Sequence, residues 1–212
     1  MKERDIFRAV KDGNTAVVKR LLSHGADPNA RNEWDRTPLH HACLYGHPAV
    51  AEVLIDAGAD VNIQNKDNHT PLHYACFYDH AEITRLLLEK GADINSGDRS
   101  GYTPLHGACT YGHTGVARLL IEKGARVDVR DQSGHTSLHR ACSKGHADIV
   151  RLLLDHAADV NARDNNGQTP FDLVLKLRHD NPAREETIDL FRAHCPGMVM
   201  EAWCNSENGI SP

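Results

Sequence analysis

A step of 33 residues runs through the chain and limits what it can fold into. Thr37-Pro38-Leu39-His40 returns as Thr70-Pro71-Leu72-His73 and as Thr103-Pro104-Leu105-His106. It continues as Thr136-Ser137-Leu138-His139 and fades to Thr169-Pro170-Phe171-Asp172. Cys43, Cys76, Cys109 and Cys142 keep the same step. So do His47, His80, His113 and His146, and so do Gly25, Gly58, Gly91 and Gly124, each glycine followed by alanine. One such unit cannot bury its apolar face alone, so neighbours must stack. Projected backwards, Ile6, Val10 and Gly13 fall on Leu39, Cys43 and Gly46. Towards the end, Ile149–Leu154 is echoed near Ile188–Phe191, with about five extra residues around Arg178–Ala183. This spacing divides the chain into an opening cap (1–34), four full repeats (35–67, 68–100, 101–133, 134–166) and a closing cap (167–194). Residues 195–212 form an irregular tail outside the pattern.

Each unit reads as two short helices. The motif threonine suits a helix N-cap, and the proline after it sits where its missing N–H costs nothing. Leu39, Ala42 and Cys43 then share one face at helical spacing. Gly46 and its equivalents suit a left-handed C-cap. Val50, Val53, Leu54 and Ile55 give the second helix a broad apolar face that Gly58 ends. The polar run from Asp60 to Asn68 forms a turn reaching the next unit. Four departures interrupt this regularity: Asp79 and Ala157 at glycine positions, Ser137 at a proline position, and Arg126-Val127-Asp128 for the usual Asp-Val-Asn. Three of the four lie in residues 126–157, so the C-terminal third is expected to fray first.

A unit reading Thr-Pro-Leu-His-x-Ala-Cys, then Gly-His, then Leu-Leu-x-x-Gly-Ala-Asp-Val-Asn resembles the ankyrin repeat family over roughly residues 4–194. The resemblance implies an all-α solenoid of about six stacked helix-turn-helix units with β-turn fingers. It implies that His40, His73, His106 and His139 tie each repeat together by hydrogen bonds. It also implies a protein-interaction module, an adaptor, inhibitor or regulator, that binds through the concave face of fingers and inner helices. The corresponding positions are Arg31, Glu33, Trp34, Arg36, Leu44 and Tyr45 in the first full repeat, and Lys66, His69, Phe77 and Tyr78 in the second. Arg99, Tyr102 and Tyr111 follow in the third, and Arg130, His135, Arg140 and Lys144 in the fourth. This face carries six of the chain's eleven aromatics and an excess of Arg and Lys over acids. The expected partner is another protein offering an extended or helical segment with apolar side chains and some negative charge. A competing expectation is that Tyr45, Tyr78 and Tyr111, at one repeat position, stack on each other.

The remaining features exclude more than they assign. A formal charge of −5 argues against a dedicated binder of nucleic acid or anionic membrane. No run of 18 apolar residues exists to span a membrane. The start, Met1–Asp5, lacks the apolar stretch of a secretory signal, so the expected compartment is cytoplasmic, with the nucleus open by diffusion in a eukaryote. There is no Gly-x-Ser-x-Gly, no phosphate loop and no His-Glu-x-x-His, so neither an enzyme nor a cofactor is expected. Glu185-Glu186 begins a terminal helix, where acids favour the dipole. The four periodic cysteines read as buried core thiols in a reducing compartment. His194, Cys195 and Cys204 give an irregular trio short of a metal site, though Cys195 and Cys204 could pair under oxidation. A monomer is expected, with Phe7, Ile188 and Phe191 the apolar residues available for end-to-end contact. Two other functions stay open. Aromatics interleaved with basic groups also suit single-stranded nucleic acid. Asn62, Asn95 and Asn161 resemble the sites that asparaginyl hydroxylases favour on ankyrin proteins.

Overall fold

The computed structural model describes residues 2–178 and 180–195. Among them twelve α-helices and no strand are found. They are α1 (Lys2–Lys11), α2 (Thr15–Ser23), α3 (Pro38–Tyr45), α4 (Pro48–Asp56), α5 (Pro71–Phe77) and α6 (Ala81–Glu89). Next come α7 (Pro104–Tyr111), α8 (Thr114–Glu122), α9 (Ser137–Lys144), α10 (Ala147–Asp155), α11 (Pro170–Leu175) and α12 (Pro182–His194). Odd-numbered helices are inner, even-numbered ones outer, and a turn-built finger precedes each inner helix from α3 onward. The chain falls into two compact units, one running to Ala108 with Gly115–Ala125, the other comprising Cys109–Thr114 and the chain from Arg126. In the first, α1 packs on α3 and α3 on α5, while α2, α4 and α6 make a second layer. In the second, α9 packs on α11 and α10 on α12.

The core follows the repeat. Leu39, Ala42 and Cys43 are fully buried, as are Leu72, Ala75 and Cys76, and Leu138, Ala141 and Cys142. Ile6 and Val10 fill the same places in the opening cap. Burial pushes the Cys76 thiol up to about 12 and raises the other three periodic thiols well above their ordinary value. They are therefore neutral apolar filler rather than reactive groups. Ile188 and Phe191, offered by the sequence as end-to-end contacts, are fully buried beneath the closing helices, with Phe191 against Phe171 at 5.1 Å.

The motif histidine does two jobs. His40 Nδ1 accepts the Thr37 N–H at 3.0 Å, capping the inner helix. Its Nε2–H then donates to the His69 carbonyl in the next finger, also at 3.0 Å. His73 repeats this with Thr70 and Tyr102, and His139 with Thr136 and Gln168. Each ring thus holds one tautomer, neutral with its proton on Nε2. In the closing cap Asp172 replaces histidine. Its Oδ2 accepts both the Thr169 N–H and hydroxyl at 2.8 Å. Asp172 thus keeps the capping half of the motif residue's role.

A second histidine locks the outer layer. The His47 ring lies over Gly13, where an added Cβ would come within 2.8 Å of it, and donates to the Lys11 carbonyl at 3.1 Å. His80 covers Gly46 and His146 covers Gly112 in the same way. Glycine is required at these places twice over, by its left-handed backbone and by the ring above it.

The fingers are organised by an Asx residue in each repeat. Asn32 Oδ1 accepts the N–H groups of Trp34 and Arg36, each at 3.0 Å. Asn65, Asp98, Asp131 and Asp164 repeat the pattern. Backbone bonds join neighbouring fingers, Lys66 N–H to Trp34 O and Arg99 N–H to Asp67 O in the first unit, Asn165 N–H to Ser133 O in the second. At the base, Asn62 donates to Gly91 O and accepts from Asp93 N–H. Asp128, which replaces asparagine here, keeps the acceptor half through Asp159 N–H.

The irregular positions carry strain where the pattern implied it. Ala157 has φ +57° and Asp79 φ +60° in places otherwise held by glycine. Ser137 opens α9 without a backbone hydrogen bond to lose. Ala157→Gly and Ser137→Pro should each stabilise the protein by about 0.4–1 kcal/mol, read as higher urea midpoints; lower midpoints would contradict this account of the two turns.

The buried histidines make stability depend on pH. Burial pulls His40 down to about 3 and His73 and His41 to about 4, and lowers His139, against an ordinary value of 6.5. Below that ordinary value the unfolded chain binds protons that the folded chain refuses. The contribution is therefore complete above pH 6.5 and lost as pH falls towards 4, by about 1.4 kcal/mol per pH unit for each fully depressed histidine. Urea midpoints are expected to drop steeply between pH 6.5 and pH 4.5; a flat profile would mean these rings titrate freely.

Candidate protein-binding face

The fingers and inner helices hold the residues that the repeat register places on the face. The large exposed hydrophobics among the described residues are Trp34, Tyr45, Tyr78 and Tyr111, 52%, 38%, 51% and 58% accessible. All four lie at candidate positions. Trp34 stands on the first finger, and the tyrosines at the C-terminal ends of inner helices.

The tyrosines pack locally. Tyr78 stacks on His80 and Tyr111 on His113 at ring separations of 6.4 and 6.1 Å, and Tyr45 tilts against His47 at 6.4 Å. Each therefore leans on the histidine two residues later, which is itself pinned at the start of an outer helix. Lys11 lies over the Tyr45 ring at 5.9 Å. An amphipathic ring held this way loses little freedom on binding.

Phe77 and Tyr102 are half-buried and belong to an aromatic cluster. Phe77 meets His69, His73 and Tyr102 edge-on at 5.4, 5.9 and 6.1 Å. The Tyr102 hydroxyl donates to His106 O. Gly107, in mid-helix, is what lets the Phe77 ring lie down, since a Cβ there would come within 2.3 Å of it. Leu44 is half-buried beside Tyr45.

Several basic candidates are committed within the fold. Arg31 donates to Gln64 O at 3.1 Å and Lys66 Nζ to Glu33 O at 2.6 Å, each strapping one finger to its neighbour. Arg130 does the same to Arg163 O in the second unit. Arg140 pairs with the finger carboxylate Asp131. His135 lies between Asp131 and Asp164, 3.9 and 3.2 Å away, and His69 lies 3.1 Å from Asp98. Arg99 and Glu33 are exposed. Lys144 is exposed and lines an open cavity of ≈ 640 Å³ with Lys176, Arg178 and Asp180, beside the extra residues of the closing cap.

The register of Asx residues was the signal that sequence reading missed. Position 32 of the first finger recurs as 65, 98, 131 and 164, always Asn or Asp. In three of the five fingers the residue nine places on answers it: Asn32 with His41, Asn65 with the Tyr74 hydroxyl, Asp131 with Arg140. Arg140 is thus matched to its own finger.

Among the described residues no group of three or more His, Cys, Asp or Glu side chains could hold a metal. His194 bonds to Leu190 O and Asp155 instead. Cys204 lies outside the described residues. No described helix is long and apolar enough to cross a membrane.

Comparison with known proteins agrees with this geometry. A family model described as ankyrin repeats in three copies matches residues 6–98, 57–131, 95–164 and 116–181 in overlapping registers. The chain belongs to the ankyrin repeat family. Repeats of this family are protein–protein interaction modules. No curated protein matches the chain.

Gly107→Ala separates scaffold from surface in the aromatic cluster. In an ordinary exposed helix the change would gain about 1 kcal/mol. Here the methyl must displace Phe77, so a net loss of about 1–3 kcal/mol is expected, read as a lower melting temperature. A higher melting temperature would mean that the Phe77 ring swings out freely.

Proposed function

We propose that this protein is an adaptor, inhibitor or regulator that takes a segment of a partner protein on its fingers and inner helices. The observation that carries this reading is the coincidence of all four large exposed hydrophobics with that face. Elsewhere among the described residues no large hydrophobic side chain is exposed. Rings that bury large area at low entropic cost mark binding hot spots, and a partner is what would cover them. In the first unit the contacting set is Trp34, Tyr45 and Tyr78, with Arg31, Glu33, Arg36, Leu44, Lys66, His69, Phe77, Arg99 and Tyr102 around them. In the second it is Tyr111 and Lys144, with Arg130, His135 and Arg140 behind. The partner segment supplies apolar side chains with some negative charge. The repeats act as a monomer in the cytosol, divided at the 33-residue boundaries read from the sequence.

Single-stranded nucleic acid would use the same rings. It draws less support, because Arg31, Lys66, Arg130 and Arg140 already donate to carbonyls or to Asp131. Hydroxylation of Asn62 also draws less support, since both amide atoms are engaged at the finger base.

The test is comparative capture from the source cell, with folded Trp34→Ala/Tyr45→Ala/Tyr78→Ala/Tyr111→Ala beside the natural protein. A partner retained by the natural protein and lost by the variant is expected. Equal retention by both would move the binding site away from this face.

A further inference from the structure

One cation on this face lacks the carboxylate that stands beside the histidines at the same repeat position. Arg36, His69 and His135 occupy one repeat position. His69 has Asp98 of the following finger at 3.1 Å, and His135 has Asp164 of the following finger at 3.2 Å. For Arg36 the corresponding residue is Asn65, and within its own finger the residue is Asn32 where His135 has Asp131. Neither asparagine has capacity to spare. Both acceptor oxygens serve turn N–H groups, and the amide nitrogens are spent on His41 and the Tyr74 hydroxyl. Arg36 therefore sits between two neutral residues where the repeat pattern elsewhere supplies aspartate.

Its geometry is nevertheless fixed. The guanidinium lies over the Trp34 ring at 5.7 Å and over the Tyr74 ring at 5.2 Å. Its Nε–H is buried without an acceptor among the described residues. Glu33, Asp35 and Asp67 stand on the same fingers, yet none forms an ion pair with it among the described residues. A half-buried guanidinium that touches aromatic rings and the Tyr74 hydroxyl, with its Nε–H unused and no carboxylate paired to it, costs stability in the free protein. It also presents the planar fork that matches a carboxylate. Trp34, half-exposed beside it, gives the apolar contact that would exclude water from such a pair.

We infer that Arg36 is the anchor for a partner carboxylate, supplied by an acidic side chain of an extended apolar–acidic segment that lies across Trp34. This rests on the interaction reading above and gives it a partner chemistry: the incoming carboxylate takes the place that Asp98 and Asp164 hold in the other fingers. Binding should weaken with added salt, though less than for an exposed pair, because the rings shield the site.

The test uses the full chain in a Trp203→Phe background, so that Trp34 reports alone. The probe is the amidated peptide acetyl-Leu-Glu-Leu-Glu-Leu, compared with its Gln counterpart. Titration is followed by Trp34 fluorescence and by the Arg36 Nε–H resonance. The glutamate peptide should shift that resonance and bind at least about tenfold more tightly than the glutamine peptide. If only the glutamine peptide with a free C-terminal carboxylate binds, the acceptor is a chain terminus instead, and the side-chain assignment is overturned. Arg36→Lys keeps the charge but loses the fork and should lose about tenfold. Asn65→Asp is the decisive variant. It restores the internal counter-charge, so the melting temperature should rise while glutamate-peptide affinity falls by about tenfold or more. A variant that binds like the natural protein would overturn the proposal, as would equal affinity for the two amidated peptides or no shift of the Arg36 resonance. Equal affinity with a retained Trp34 response would leave the aromatic face as a binding surface and remove only the carboxylate. Failure of the broader reading shows separately, as equal partner capture by the aromatic variant.

Discussion

The bond from a histidine Nε2–H to the carbonyl of the next finger is the interaction on which the rest depends. A helix pair of 33 residues has too little interior to stand alone. It needs a neighbour placed in one register, and apolar packing by itself is poorly directional. His40, His73 and His139 supply the direction. One ring nitrogen closes a helix N-terminus, and the other reaches the following repeat. The ring works only in its neutral form, because protonated Nδ1 could not accept the threonine N–H. Burial enforces that form, at the cost of making the array sensitive to acid. The appearance of Asp172 in the closing cap fits the same logic: it keeps the capping function and drops the bridge.

The binding face is built on what this scaffold leaves over. His47 and His80, which lock onto Gly13 and Gly46 of the preceding repeat, also form the backs against which Tyr45 and Tyr78 rest. Scaffold and surface are thus one set of contacts seen from two sides. The fingers show the same economy. Arg31, Lys66 and Arg130 hold neighbouring fingers through carbonyl bonds, and Arg140 is paired with Asp131. Most of the positive charge counted along the face is therefore structural. Arg36 differs because asparagine stands where the pattern elsewhere has aspartate.

Much of this was legible from the residues. The period placed the helix pairs of the full repeats, and the positions of Leu39, Cys43 and their equivalents gave the core. Glycine at a helix end and threonine before proline are local signals, set by backbone sterics and by unpaired N–H groups, so sequence alone determines them. The same holds for the exceptions. Ala157 and Asp79 could be marked as strained from their places in the repeat, and their left-handed backbones agree.

Tertiary structure decided what depends on a neighbour's side chain. Sequence spacing could not tell that the tyrosines lean on histidines, that Phe77 lies down over Gly107, or that Arg140 answers Asp131. Each outcome turns on a rotamer chosen among several by contacts from other parts of the chain. Composition could count the basic groups on the face. Only their hydrogen-bond partners could separate the ones already spent on holding the fingers from Arg36. The physical reason is one of range. Helix signals are settled within a turn or two of chain, whereas the charge balance of a finger is settled 29 residues away, at the Asx residue of the next repeat.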